Sequence, residues 1–350
     1  MASAELAQLF VGENQLTFLE TGLTLGLAFA IGIAMLPGLI RKMRQGGMVG
    51  RDVNKPEKPE VAELGGIAAL FAFSISVSFV VGLKKLGGNI FEPPYLAAIS
   101  TFFIAAVVGL IDDISNIKQR LKIVAVAFAA LPLMLVHIGP EVIDLPFGAS
   151  LDLQGQYYLA YWLLLVPIGV TGAANAMNIS AGYNGLESGQ IAIASGVLLL
   201  VGITQGAPEP ALLIFAALVG CGASLYVFNR FPARVFVGDI GTLGMGAAFA
   251  AGVILGHLEL YGLIAIAPAF YEAASTVYFG MRGKNGGRRQ ACHNPVLNGD
   301  GTIQPPRGAE RYTLPFFLLS RRPMSERRLV GSLLSLYAAS GAVAFALSVV

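Results

Sequence analysis

Long apolar segments, separated by shorter polar ones, follow one another along the whole 350-residue chain. A helix needs about 20 apolar residues to cross a hydrocarbon core of about 30 Å, and ten of the segments reach or nearly reach that length. The boundary between the eighth and the ninth is the least distinct. We predict membrane-spanning helices at about residues 16–40, 62–83, 95–111, 121–139, 157–177, 188–206, 210–228, 240–257, 259–279 and 329–350.

The composition supports a protein that is embedded in a membrane. Hydrophobic residues make up 55% of the chain and charged residues only 13%, about half of the roughly 25% in soluble domains, and the mean hydropathy is +0.69. So few charges exclude an ordinary cytosolic enzyme, a disordered chain and a nucleic-acid-binding protein with a basic patch. The predicted fold is therefore an all-α polytopic integral membrane protein, a single domain over residues 1–350 that includes the long loop 280–328.

The basic residues are distributed unevenly between the two sets of loops that ten spans create. One set contains only Lys84 and Lys85 of the 23 basic residues, and the other set, which we call the basic set, contains all the rest. Cytoplasmic loops carry such an excess, so we predict that the basic set is cytoplasmic and that both termini lie outside. The membrane would be the cell membrane in a prokaryote and the endoplasmic reticulum membrane in a eukaryote. The other 21 basic residues lie in one set of loops, residues 41–61, 112–122, 178–187, 229–239 and 280–328.

Three clusters of acidic or amide side chains lie at ends of predicted spans, and all three belong to the basic set. The segment 109–122 contains an acidic pair that begins at Asp112, the turn 175–189 is rich in Asn and Gly, and the segment 235–239 ends in Asp239. A carboxylate near the bilayer costs several kcal/mol unless it is hydrated, paired or metal-bound. Each cluster alone is more typical of a solvated helix end or a turn, but the meeting of all three at one membrane face predicts a functional site.

The residue types in these clusters favour phosphoryl transfer. Carboxylate and amide oxygens are hard ligands, and Mg²⁺ binds one or two such protein oxygens together with substrate phosphates and waters. Lys118, Arg120 and Lys122 follow the acidic pair at alternating positions, so that on a short helix or turn some of them would face the same anion. Phosphoryl transfer requires a metal and fixed cations beside one another. An ion-coordinating transporter is the alternative, but transporters place their sites near the bilayer midplane.

One of these clusters carries a family signature. Residues 175–190 read Asn-Ala-Met-Asn-Ile-Ser-Ala-Gly-Tyr-Asn-Gly-Leu-Glu-Ser-Gly-Gln, and this run closely resembles the polyprenyl-phosphate N-acetylhexosamine-1-phosphate transferases. The bacterial branch typically has Asp where Ala181 and Asn184 stand, so the chain looks most like the eukaryotic and archaeal branch. The motifs at 112–122, 235–239 and 323–327 match in order and spacing, and the resemblance covers residues from about 52 to 350.

The resemblance implies a Mg²⁺ site, with Mn²⁺ as a substitute, and a set of catalytic residues. Asn178 and Asp239 would hold the metal that bridges the donor pyrophosphate, and Asp112 and Asp113 would lie beside it. Asp112 is the candidate for activating or positioning the lipid phosphate. Lys122 would neutralise the pyrophosphate.

Substrate-binding residues are implied at further motif positions. Asn184 and the backbone of the turn that begins at Gly182 would recognise uridine, and Asn116 would contribute a polar contact. The first cytoplasmic segment, with Asn54 and Glu63, would line the same site. The remaining members of the implied set are Asn175, Glu187, Arg288 and Arg289.

The long loop departs from the family pattern. The family has an Arg- and His-rich stretch here that contacts the diphosphate and the sugar, and His293 stands where the eukaryotic proteins have an arginine. The resemblance therefore implies a phosphate contact by His293, with Arg288 or Arg289 supplying the missing charge. A structural zinc site at Cys292 and His293 is the alternative, but two ligands at this spacing are too few.

The function that the resemblance implies is transfer of N-acetylglucosamine 1-phosphate from UDP-N-acetylglucosamine to a dolichyl or polyprenyl phosphate. UMP would be released, and the product would start a lipid-linked oligosaccharide, as for N-glycans. Members of the family are often dimers, although the residues identify no interface. Two alternatives stay open: the same reaction with another UDP-N-acetylhexosamine, and a membrane transporter or flippase with a polar cytoplasmic vestibule.

Overall fold

The structure, a computed structural model, describes residues 2–88, 93–136, 142–144, 150–282, 295–307 and 312–350. Within these ranges nearly all regular structure is helical, and nine helical segments are long and apolar enough to cross a membrane. The all-α fold is confirmed, and the chain is an integral, multi-pass membrane protein. The nine segments are Gln15–Gln45, Gly66–Leu86, Pro93–Ser115, Gln119–Val136, Tyr157–Ile179, Leu186–Gln205, Glu209–Asn229, Gly238–Leu255 and Glu326–Ser348.

The helices are numbered α1 to α14 in chain order. A 3₁₀ turn, Phe128–Ala130, joins α4 to α5, and a π-helical turn, Tyr161–Leu165, joins α6 to α7, so that each pair forms one span. The first seven helices are α1 (Ala2–Gln45), α2 (Gly66–Leu86), α3 (Pro93–Ser115), α4 (Gln119–Ala127), α5 (Leu131–Val136), α6 (Gln156–Ala160) and α7 (Val166–Ile179). The other seven are α8 (Leu186–Gln205), α9 (Glu209–Asn229), α10 (Gly238–Leu255), α11 (Glu259–Ala265), α12 (Ala267–Arg282), α13 (Leu314–Arg321) and α14 (Glu326–Ser348).

The predicted ninth span, residues 259–279, corresponds to a bent pair of helices. The helices α11 and α12 meet at Ile266 at an angle of 71°. Pro268 follows the break, and because proline has no N–H it cannot donate to the carbonyl of Ile264, four residues earlier. The Ile264 carbonyl instead accepts a hydrogen bond from the Ser340 hydroxyl of α14. If the bent pair is one span, the described residues reach the predicted count of ten.

The helix α10 lies at the centre of the bundle. Every residue from Ile240 to Leu255 is buried, and most of this stretch is glycine, alanine and other small residues that let helix backbones approach closely. A Cβ atom added to Gly246 would lie 2.7 Å from the Cα atom of Ala174 in α7. One added to Gly109 of α3 would lie 2.3 Å from the backbone oxygen of Asp239. Both α3 and α7 therefore touch the backbone of α10.

The end of α3 and the start of α10 lie at the same end of the bundle, which we call the site face. An antiparallel hairpin, β1 (Val49–Arg51) and β2 (Glu60–Ala62), follows α1 at this face. The chain after β2 runs beside the segment before α10: Ala62 forms a parallel bridge with Val235, and the Gly65 N–H donates to the Phe236 carbonyl at 2.9 Å. The first loop is thus attached to the start of the central helix.

The described residues form two further short antiparallel hairpins. One consists of β3 (Val142–Asp144) and β4 (Ser150–Asp152), between α5 and α6. The other consists of β5 (Val296–Leu297) and β6 (Ile303–Gln304), in the long loop before α13.

The described end of the long loop is held against α12. The Glu272 carboxylate accepts a hydrogen bond from the Leu314 N–H at 2.8 Å, at the start of α13. The Tyr271 hydroxyl donates to the Tyr312 carbonyl at 2.9 Å. A carboxylate in a membrane helix needs such a partner, and here it fixes α13 at the site face.

Lys84, one of the two lysines on the opposite face, is paired. Its ammonium lies 3.3 Å from a carboxylate oxygen of Glu20 and forms a hydrogen-bonded ion pair with Glu209. Because each charge would be costly near the bilayer without a partner, the three residues join α1, α2 and α9. These two ion pairs therefore stabilise a lysine at the opposite face, away from the basic loops.

We predict that Gly109→Ala destabilises the protein and Gly82→Ala does not. The new Cβ atom at residue 109 would overlap the backbone at the start of α10, and overpacking of this kind costs about 1–3 kcal/mol or more. Gly82 of α2 has no atom within 4 Å of an added Cβ. The thermal unfolding midpoint of the protein in detergent should fall only for Gly109→Ala, and equal midpoints would contradict the close contact of α3 with α10.

Candidate active site

Polar side chains from three helices meet around the ammonium group of Lys122, which lies on a fourth. Lys122 lies in the first turn of α4 and is only 4% exposed. Its Nζ atom is 2.8 Å from Oδ2 of Asp112 at the end of α3 and 2.7 Å from Oδ2 of Asp239 at the start of α10. It also donates to Oδ1 of Asn178, at the end of α7, at 3.3 Å. The three clusters that the sequence singled out therefore form one site.

The amide of Asn178 connects this site to α10. Its Nδ2 group donates to Oδ1 of Asp239 at 2.7 Å and to the Thr242 hydroxyl at 2.9 Å. Thr242 was not among the predicted site residues. Its position three residues after Asp239, on the same helical face, is the signal that could have identified it.

Asp113 contacts the backbone at the start of α10. Its two carboxylate oxygens accept hydrogen bonds from the N–H groups of Asp239, at 2.9 Å, and of Ile240, at 3.0 Å. The first N–H groups of a helix have no partner within the helix, and the positive end of the helix dipole attracts a carboxylate there. Gly238 has a φ of +73°, and an added Cβ would lie 2.8 Å from Asp113. Asp113 thus determines where Asp239 lies.

The turn between α3 and α4 is tied to the other member of the acidic pair. Oδ1 of Asp112 accepts a hydrogen bond from the Ile117 N–H at 2.8 Å. Asn116 has a φ of +49°, a left-handed conformation that asparagine adopts more readily than most residues. This turn reverses the chain and brings Lys122 back to Asp112, while the Asn116 side chain is exposed.

The donor atoms of the site fit a hard divalent cation. Among the described residues, no three His, Cys, Asp or Glu side chains form a cluster that could hold a metal by themselves. Mg²⁺ does not need such a cluster, because it binds one or two carboxylates and completes its shell with phosphates and waters. The oxygens of Asp112, Asn178 and Asp239 already converge on one cation, the Lys122 ammonium.

A second group of predicted residues lies in the turn after α7. The Asn54 side chain donates to the Gly182 carbonyl at 3.4 Å, and the Gly182 N–H donates to the Glu187 carboxylate at 3.0 Å. The Asn184 side chain donates to Asp52 at 2.8 Å. The predicted uridine-binding residues of the turn and those of the first loop are therefore in contact.

A buried ionic cluster supports this turn and was not predicted. Lys55 lies 2.8 Å from Asp52 and also pairs with Glu326, the first residue of α14. Glu326 accepts a hydrogen bond from the backbone N–H of Asn184 at 2.8 Å. All four residues are at most 8% exposed. The two carboxylates and one ammonium hold the first loop, the turn and α14 together.

Two further predicted residues lie at the edge of these groups. Asn175 is one turn before Asn178 on α7; its Nδ2 group donates to the Thr171 carbonyl at 2.9 Å, whereas its buried Oδ1 atom has no partner among the described residues. Glu63 follows β2 and lies against Gly50 of β1. The predicted residues Arg288, Arg289 and His293 lie outside the described residues, as does Cys292 of the zinc alternative.

An apolar cavity of about 470 Å³ lies within the membrane-spanning part. It is lined by side chains of α7, α10 and the bent pair α11–α12, among them Phe249, Ile266 and Phe270. Gly172 also lines it, six residues before Asn178 on the same helix. At a rise of about 1.5 Å per residue, this part of the cavity is about 9 Å along α7 from Asn178, and its far end reaches Glu259 at the start of α11.

Comparison with known proteins places these residues in a family. Residues 95–257, which carry the acidic pair, the Asn-rich turn and Asp239, match the model of glycosyl transferase family 4. A protein of Saccharolobus solfataricus is 31% identical over 254 residues, 72% of each chain. Its name describes it, provisionally, as a UDP-N-acetylglucosamine–dolichyl-phosphate N-acetylglucosaminephosphotransferase.

Two other relatives match over most of their length. A protein of Methanocaldococcus jannaschii, provisionally named as a glycosyltransferase, is 30% identical over 309 residues, 87% of this chain and 89% of its own. The phospho-N-acetylmuramoyl-pentapeptide-transferase of Lactiplantibacillus plantarum is 28% identical over 295 residues, 80% of this chain and 89% of its own. The chain belongs to glycosyl transferase family 4, the family of membrane-bound transferases that its motifs resemble.

Proposed function

We propose that the chain transfers N-acetylglucosamine 1-phosphate from UDP-N-acetylglucosamine to a dolichyl or polyprenyl phosphate. The observation that carries the proposal is the convergence of Asp112, Asn178 and Asp239 on Lys122 at one membrane face. Such a site combines oxygen ligands with a fixed cation, as phosphoryl transfer requires. The name of the Saccharolobus solfataricus relative, which is 31% identical to this chain, supports the donor and the acceptor.

The reaction would begin with attack of an acceptor phosphate oxygen on the β-phosphorus of the donor. A new oxygen–phosphorus bond forms, the bond from the β-phosphorus to the bridging oxygen breaks, and UMP leaves with that oxygen. The Lys122 ammonium would offset negative charge on the diphosphate as the bond breaks. Asp112, in contact with Lys122, would position the acceptor phosphate, which needs no proton removed because it is already an anion.

Asn178 and Asp239 would hold Mg²⁺, or Mn²⁺ in its place. When bound, the cation would offset the negative charge of the diphosphate. The carboxylates of Asp112, Asp113 and Asp239 outnumber the single ammonium of Lys122, so the site without a cation would repel an anionic donor. Asp113 would act as a positioning residue, since it holds the backbone of Asp239.

The turn after α7 would bind the nucleotide. Asn184 and Gly182 lie next to the metal-binding end of α7, and the ionic cluster behind them fixes the turn before the donor arrives. A preorganised turn binds with less loss of conformational entropy. Asn54, Glu63, Asn116, Asn175 and Glu187 would line the rest of the donor site, and His293 with Arg288 or Arg289 would contact the diphosphate.

The acceptor would reach the site from the membrane. A polyprenyl chain is apolar, and the cavity between α7, α10 and the bent pair is lined almost entirely by apolar side chains. Its phosphate would meet the nucleotide at the site face, which we propose is the cytoplasmic face because the basic loops lie there. The product would be a lipid-pyrophosphate-linked sugar that starts a lipid-linked oligosaccharide.

We expect the purified protein with Mg²⁺ and dolichyl phosphate to release UMP from UDP-N-acetylglucosamine faster than from other UDP-sugars. The measurement is UMP formation across a panel that includes UDP-N-acetylgalactosamine, UDP-glucose and UDP-N-acetylmuramoyl-pentapeptide. A different preferred donor would overturn the sugar assignment alone. Absence of UMP with every donor, together with movement of a substrate across vesicles, would favour the transporter alternative.

We expect Asp239→Asn and Asn178→Ala to reduce UMP release by roughly 100-fold or more, the usual effect of removing one preorganised electrostatic group. Chelation of the wild type should stop the reaction, and Mg²⁺ or Mn²⁺ should restore it. Asp152→Asn, an exposed carboxylate on the opposite face, is the matched control and should keep full activity. Unchanged activity of the folded Asp239 and Asn178 variants would remove the metal assignment.

A further inference from the structure

A second cavity, of about 660 Å³, lies at the site face beside the ends of α9 and α14. Three arginines line it, Arg230 and Arg234 after α9 and Arg327 in the first turn of α14. Tyr226 and Phe231 form aromatic parts of its wall. In the sequence, all three belong to the excess of basic residues in one set of loops, and Arg327 is also the last residue of the motif at 323–327.

The three guanidinium groups have no carboxylate partner within the part of the chain that the structure describes. The salt bridges recorded there involve only lysines. Arg234 lies over the Phe228 ring, 4.3 Å from its centroid, and donates to the Val227 carbonyl at 2.9 Å. The side chains of Arg230 and Arg327 are exposed. Three like charges around one cavity repel one another, so the cavity favours an anion.

The geometry of an arginine suits a phosphate. The planar guanidinium presents several N–H donors in a fork that matches phosphate oxygens and forms two parallel hydrogen bonds. An arginine that is already paired with a carboxylate has fewer N–H groups left to donate to a phosphate. The three arginines of the cavity keep most of their N–H groups available.

The cavity is separate from the catalytic group. None of Asp112, Lys122, Asn178 and Asp239 lines it. The buried ionic cluster lies beside the cavity, since the Lys55 ammonium is 4.6 Å from the centroid of the Phe231 ring. Asn184 lines the cavity and also donates a hydrogen bond to Asp52 of the ionic cluster.

The position of the cavity indicates where its ligand comes from. The membrane-spanning helix α9 ends at Asn229 and α14 begins at Glu326, so the arginines lie where lipid headgroups are found. Phe231 is 40% exposed, and Val330 adds an apolar wall one turn into α14. A ligand with a phosphate and an adjoining apolar chain matches both kinds of surface.

We propose that this cavity binds the phosphodiester headgroup of an anionic membrane lipid. The bound headgroup joins α9, α14 and the turn before α8, and it stabilises the folded protein by mass action. The proposal does not depend on the proposed reaction, because it concerns arginines outside the catalytic group.

The test is binding of phosphatidylglycerol to the full-length protein in detergent, measured by native mass spectrometry. The wild type should retain one phosphatidylglycerol molecule in preference to phosphatidylcholine. Arg230→Gln combined with Arg327→Gln should weaken this binding by about 30-fold, since each basic residue near an anionic lipid contributes roughly fivefold. The control, Arg322→Gln combined with Arg328→Gln, removes the same charge from exposed arginines outside the cavity and should bind like the wild type.

Three results would overturn the proposal. Equal binding by the two double variants would show that total charge and not the cavity attracts the lipid. Displacement of the lipid by millimolar inorganic phosphate would identify a site for the free anion. A parallel loss of UDP affinity in the cavity variant would make the cavity part of the donor site. If the double variant does not fold, as judged by its thermal unfolding, Arg327→Gln alone should show a fivefold loss against Arg328→Gln.

Discussion

The ammonium group of Lys122 is the contact on which the polar site depends. Two carboxylates, those of Asp112 and Asp239, lie at the ends of different membrane helices and would repel one another without a cation between them. Lys122 lies 2.8 Å from the first and 2.7 Å from the second. Because the lysine is nearly buried, this attraction is screened less than at a surface. It thereby joins α3, α4 and α10 at one face.

The short distances between Lys122 and the two carboxylates depend on a glycine in α3. Gly109 lets α3 approach the start of α10, and only then can Asp113 reach the N–H groups of Asp239 and Ile240. Small residues where α3 meets α10 are thus responsible both for the close packing at the centre of the bundle and for the position of Asp239, a candidate metal ligand. A larger side chain at Gly109 would disturb both.

The sequence was sufficient for the spans and for the site face, because both depend on local patterns. The apolar length of α2 or α9 and the polar residues at 109–122 can be identified without knowing what they touch. The bend at Ile266 was not predicted, since the segment is apolar throughout and Pro268 is tolerated near a helix start. The ion pair of Lys55 with Glu326 could not be predicted either, because the two residues are 271 positions apart along the chain and only the fold brings them together.

The role of the Lys122 ammonium is tested most directly by the affinity of the purified protein for UDP in the presence of Mg²⁺, measured by isothermal titration calorimetry. Lys122→Met, which keeps the length of the side chain but removes its charge, should weaken UDP binding at least tenfold. Lys118→Met, an exposed lysine just before α4, should bind UDP like the wild type. Equal affinities of a folded Lys122→Met variant and the wild type would contradict the claim that this ammonium organises the site for an anionic nucleotide.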